Sequence, residues 1–129
     1  LHCGDIGSTA IVPLFADWPT HFVFGNVDDE ERELTQAIQE AGQTCHGRVG
    51  EVTRERVAVA LLHSDDAALF LETIFSGRYA LVCYGHTHKA EKHREGSTLV
   101  LNPGALYRAT PHSFAIVDLP SLEVTHIEL

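Results

Sequence analysis

Hydrophobic and polar positions divide this chain into short apolar runs separated by polar turns. "HFVF" at 21–24 predicts a brief strand. From 29 to 41, Leu34, Ala37, Ile38 and Ala41 recur at helical spacing behind a run of acids, and Gly42 stops the pattern. Asp28 with Glu31 has the form of a capping box for that helix, whose acidic start reads as a solvated helix entry. Residues 47–62 read as two strands around a polar turn at Arg54–Glu55. In the second, Val57, Val59 and Leu61 alternate with alanines and Leu62, as in a strand covered on both faces. A second helix is predicted over 65–77, with Ser64 as a candidate cap, and a buried strand over 79–84. Strands follow at 89–95, 98–101, 113–118 and 122–128. Residues 1–3 read as a strand end, and 9–18 as weakly helical because Pro13 interrupts them. Trp18 with Pro19 reads as a packed edge between elements. Helices alternate with strands early and strands dominate late, so the expected fold class is layered α/β with two packed sheets.

With 129 residues the chain is one domain, 1–129, large enough for a real core, and 44% of its residues are hydrophobic. No run approaches the ~18 apolar residues of a membrane helix, and no signal-peptide pattern opens the chain. The formal net charge of −9 argues against a broad nucleic-acid surface or an anionic membrane as partner. Three widely spaced cysteines, Cys3, Cys45 and Cys83, form no C-x-x-C pattern and read as reduced thiols of a cytoplasmic protein. There is no methionine, and the chain opens on what reads as a strand end, so an N-terminal piece is expected to precede Leu1.

The candidate chemistry stands just past the apolar runs. "LHCGD" ends in Asp5, "HFVFGN" in Asn26, "VAVALLH" in His63 and "ALVCYGHTH" in His86 and His88. In α/β layers the C-terminal strand edge is where ligand sites collect. Taken singly, each residue has an ordinary explanation as a turn or a satisfied polar group. Together they offer oxygen and nitrogen ligands suited to Mn²⁺, Fe²⁺ or Zn²⁺ rather than to a closed structural zinc site. Histidines two apart can reach ions separated by ~3.5–4 Å. His2, His21, His46, His93 and His126 show no partner pattern and read as surface or strand positions. Arg108 is a candidate substrate contact, because its guanidinium fork suits phosphate oxygens, and His112 follows close behind it.

The order Gly4-Asp5, Gly25-Asn26-Val27-Asp28, His63 and Gly85-His86-Thr87-His88 resembles that of the calcineurin-like metallophosphoesterase superfamily. "LNPGAL" at 101–106 resembles the Asn-Pro-Gly segment of its small microbial phosphodiesterase branch. The resemblance implies a β-sandwich flanked by helices, here lacking its first strand and helix and the D-x-H motif they carry. It implies two divalent ions (Mn, Fe, Zn or Ni), with Asp5 bridging them. Asn26, His63 and His86 would complete one ion's ligands, and His88 would serve the other. Asp5, Asn26 and His86 are the implied catalytic set, acting in phosphodiester hydrolysis on a small phosphoester. Val27 stands where members with a general-acid histidine carry it, so leaving groups that need no protonation are expected to be preferred. Ser64-Asp65 follows His63 where the family often has glycine. The alternative is a non-catalytic protein-binding scaffold of the same fold, like the retromer subunit. Homo-oligomerisation stays open.

Overall fold

The computed structural model describes residues 1–129. A 3₁₀ helix, Thr9–Phe15, precedes β1 (His21–Phe22), α1 (Glu31–Glu40), β2 (Thr44–Cys45), β3 (Val49–Arg54), β4 (Val57–Leu62), α2 (Ala67–Phe75), β5 (Leu81–Tyr84), β6 (Ala90–Glu95), β7 (Thr98–Pro103), β8 (Ser113–Asp118) and β9 (Glu123–Glu128). Strands β3-β4-β5-β7-β6 form one sheet in that order, β1-β2 a parallel ladder and β8-β9 an antiparallel ladder. No helix is long and apolar enough to cross a membrane.

The alternation in β4 does what its pattern requires. Val57, Val59 and Leu61 pack with Val23, Leu81, Cys83, Leu99 and Leu101, and Ala115, Val117 and Val124 of the β8-β9 ladder close over them. On the other face Ala60, Leu62, Val82, Tyr84 and Val100 meet Ile74 and Tyr79, with Leu69 and Phe70 of α2. A third core, Ile6, Val12, Phe22, Phe24, Leu34 and Ile38, joins the 3₁₀ helix and α1 to β1. The layers therefore run helix, sheet, ladders, helix, in agreement with the expected flanked sandwich. The second layer is not one continuous sheet. A cleft of about 280 Å³, lined by Cys3, Val59, Leu81, Cys83, Ala115 and Val117 among others, lies between the five-stranded sheet, β8 and the N-terminal segment.

Several local expectations change. The capping box is not made: Glu30 precedes α1 without a side-chain cap, and Asp28 is buried with its carboxylate engaged elsewhere. Asp66, not Ser64, caps α2 by accepting from Leu69 N. Trp18 is 62% exposed instead of packed. The two-residue strand β2 is too short to show a period in sequence and exists through its pairing with β1. The histidines read as unpartnered are mostly engaged. Ring nitrogens of His21 and His46 meet at 2.9 Å. His126 Nε2 donates to the Asn102 carbonyl at 2.9 Å.

His2 is the largest departure, because its ring stacks on Phe22 at 5.3 Å and meets the edge of Phe15 at 5.4 Å. Its Nδ1 is buried without a partner. Burial lowers its pKa to about 4, from 6.5 for a solvated imidazole. The unfolded chain therefore binds more protons between those values, and stability falls as pH drops from about 6.5 towards 4. Replacing His2 with Phe is expected to remove on the order of 3 kcal/mol of that pH dependence, measured by urea denaturation across this range. A shallower slope should remain from His21 and His46, whose pKa values burial lowers in the same direction.

Candidate metal centre

Strands β4 and β5 are parallel neighbours, with Leu62 opposite Tyr84, so the residues that follow them leave the sheet at one edge. His63 follows β4 directly, and His86 and His88 follow β5. Asp5 and Asn26 arrive from the adjoining layer, where His2 bridges to Phe22. The turns are tight: Asp5, His86 and His88 hold left-handed backbone angles with φ of 55°, 70° and 58°. Such angles disfavour side-chain-bearing residues and concentrate at functional sites. Gly25 allows the close approach of the two loops, since a methyl there would run into the Asp5 carboxylate. At Gly85 it would fall 2.9 Å from the Cys3 carbonyl oxygen.

His63 is the hub. Its ring is buried, and Nδ1 donates to the Cys3 carbonyl at 2.8 Å. A carbonyl only accepts, so in the neutral ring Nε2 carries the lone pair. That Nε2 faces Asp5 Oδ1 at 3.2 Å, Asn26 Oδ1 at 3.1 Å and His86 Nδ1 at 3.3 Å. Acceptors turned on one another repel unless a positive charge, a proton or a metal ion, stands among them. His88 is held separately: its Nδ1 donates to the Arg108 carbonyl at 3.2 Å, which leaves Nε2 free. Carbonyl-oriented imidazoles of this kind are what metal-ligating histidines show.

Four of the five predicted ligands, Asp5, Asn26, His63 and His86, thus meet in the structure, while His88 lies on the loop above Arg108. The donor set fits divalent metal ions. No three His, Cys, Asp or Glu side chains are spaced as a ready-made cage; the contacts radiate from His63, and Asn26 contributes one of them. Arg108 reaches the site through its carbonyl, and its guanidinium lies 5.2 Å over the Tyr107 ring.

Three supporting residues were not read from the sequence in these roles. Asp28 accepts from the backbone N–H of Gly25 at 2.8 Å, Gly7 at 2.8 Å and Ile6 at 3.1 Å. Asn102, wholly buried, donates through Nδ2 to the Gly85 carbonyl at 3.2 Å and to Thr87 Oγ1 at 3.0 Å. Its Oδ1 accepts from Gly104 N at 3.0 Å, so the Asn-Pro-Gly segment pins the loop that carries His86 and His88. Ser64 Oγ donates to the same Gly85 carbonyl at 3.2 Å. Asn102 and Asp28 both lay inside quoted motifs, which was the one available signal.

Residues 1–121 match the calcineurin-like phosphoesterase superfamily domain. The chain belongs to the calcineurin-like phosphoesterase superfamily. A phosphodiesterase of Methanocaldococcus jannaschii is 26% identical over all of this chain and 81% of its own length. The solved structure of an archaeal phosphodiesterase superposes with a TM-score of 0.89 at 26% identity, covering 99% of this chain and 81% of that one. These likenesses place this phosphoesterase domain in the small microbial branch. Vps29 of Chaetomium thermophilum shares the fold, with a TM-score of 0.69 at 14% identity over 98% of this chain and 78% of that one.

Asn102→Ala would leave Gly104 N–H and Thr87 without their buried partner. The expected loss is about 1–3 kcal/mol of folding stability by chemical denaturation. Faster amide exchange at 85–88 should accompany it.

Proposed function

We propose that this phosphoesterase domain works as a divalent-metal-dependent phosphodiesterase on small phosphoesters. Asp5, Asn26, His63 and His86 would hold one ion; Asp5 would be shared with a second, which His88 also serves. The observation that carries the reading is the meeting of Asp5 Oδ1 and Asn26 Oδ1 at His63 Nε2, 3.2 and 3.1 Å away, with His86 Nδ1 at 3.3 Å beside them. When bound, the ions supply Lewis-acid polarisation of phosphoryl oxygens and lower the pKa of a water. The chain's own residues do the rest. The Cys3 and Arg108 carbonyls keep the lone pairs of His63 and His88 turned outward. Asn26 contributes an oxygen without adding charge, which leaves the centre positive enough to attract a phosphate. Arg108, whose carbonyl holds His88 and whose guanidinium lies over Tyr107, would supply a cation for the substrate's oxygens by swinging off that ring. A reducing compartment, the cytoplasm, suits the three free thiols. The likeness to Vps29 is one of fold, and nothing in the site favours a purely scaffolding role.

His86→Ala should lower the content of tightly bound metal and abolish hydrolysis of an activated aryl phosphodiester with the fold retained. His93→Ala serves as the control, since that exposed ring on β6 meets only Glu95 at 3.4 Å. Wild-type rates and metal content in both variants would sink the reading.

Val27, 52% exposed beside Asn26, donates its backbone N–H to Asp5 Oδ1 at 3.3 Å but has no side-chain proton to give a leaving oxygen. General acid catalysis is typically worth ~10²–10⁴-fold, so aryl leaving groups should outpace alkyl ones by about that factor. Rates measured across phosphodiesters of graded leaving-group pKa should fall steeply. A flat series would assign the proton to another residue, with His112 the first to replace by Ala.

A further inference from the structure

We propose that Asp28 is a positioning residue whose carboxylate clasps two ligand-bearing loops together and thereby sets the metal affinity of the centre; this rests on the metal reading above. The two loops come from different parts of the chain. Residues 5–7 lie just past the isolated bridge at His2, and 25–28 carry Asn26. Apart from Asp28, the bond between them is Val27 N–H to Asp5 Oδ1 at 3.3 Å, long for an N–H···O contact.

The clasp is better made. Asp28 Oδ2 receives Gly25 N at 2.8 Å and Ile6 N at 3.1 Å, one amide from each loop, and Oδ1 receives Gly7 N at 2.8 Å. The residue is only 4% exposed, so these are buried, charge-assisted bonds. No lysine or arginine is salt-bridged to it, and the three amides take the place of a counter-ion.

The clasp has something to oppose. Asp5 Oδ1 and Asn26 Oδ1 both face the lone pair of His63 Nε2, at 3.2 and 3.1 Å. With neither an ion nor a proton among them, those acceptors repel, and the two loops are pushed away from His63. A carboxylate that accepts amides from both loops keeps the oxygens in place, so the ion does not have to gather them. A side chain in this role must accept at both oxygens, which explains why an acid sits here despite its burial.

The test compares Mn²⁺ affinity by calorimetric titration in the wild type, Asp28→Asn, Asp28→Ala and Asp29→Ala, with amide exchange read at Ile6, Gly7 and Gly25. Partners that orient metal ligands typically contribute 10–100-fold in affinity. Asparagine can keep an oxygen on Ile6 and Gly25 but turns its amide donor towards Gly7 N–H. About tenfold weaker binding is therefore expected for Asn and about 100-fold for Ala. Exchange at the three amides should speed up in the same order. Asp29→Ala removes an equal charge from an exposed neighbour and should leave affinity unchanged. Wild-type affinity in both Asp28 variants overturns the proposal. So does a loss of exchange protection spread over β3–β7 in Asp28→Asn, which would make the residue a general stabiliser. If Ala does not fold, Asn decides. If the wild type itself binds no divalent ion, the metal reading fails, and exchange at the three amides alone decides whether the clasp exists.

Discussion

The hydrogen bond from His63 Nδ1 to the Cys3 carbonyl joins the five-stranded sheet to the layer packed on it. It also fixes which nitrogen of the buried ring faces outward. Everything at the candidate centre follows from that second consequence. With Nδ1 committed as donor, Nε2 presents a lone pair to Asp5 Oδ1 and Asn26 Oδ1, three acceptors in want of a cation, while His86 Nδ1 closes the group as donor or acceptor according to its tautomer. Were the ring free to rotate or change tautomer, Nε2 would donate to the carboxylate and the cluster would be an ordinary polar network. The bond is short and buried, and its acceptor is backbone, so nothing nearby competes for the proton.

The surrounding packing exists in a form that permits this bond. Glycine at 25 and 85 lets backbone come close where any side chain would strike Asp5 or the Cys3 carbonyl. The strained turns at Asp5, His86 and His88 persist because buried partners hold them. Asn102 pins the Gly85–Thr87 turn from below, and Asp28 pins the two loops on the other side. Strain at the rim is thus carried by groups that are themselves fully buried or nearly so. That arrangement explains why Asp28 and Asn102, both polar, are buried beneath the rim.

Chain order and placement after apolar runs made Asp5, Asn26, His63, His86 and His88 recognisable in the sequence, although the run before Asp5 forms only an isolated bridge at His2. The same logic made the two helices and the doubly covered strand β4 legible. It did not reach Asp28: an acid three residues before a glutamate at a helix start looks like a cap, and only the burial of its carboxylate between two loops reveals otherwise. Nor did it reach Asn102, whose partners lie 15 and 17 residues away on another strand's loop.

Periodicity and turn chemistry are local properties, so the sequence by itself determined most of the elements, the two-sided burial of β4 and the identity of the candidate ligands. Which of those ligands meet is a matter of register between parallel strands and of the layer laid across them. The tertiary structure alone decided that three of them converge on His63 while His88 is held apart by the Arg108 loop. It also decided that the His2 Nδ1 is enclosed without a partner, that Trp18 is exposed, and that the second layer is two separate ladders. The physical reason is the same in each case: a histidine, an aspartate or an aromatic ring has no preference strong enough to declare its environment until distant segments have packed around it.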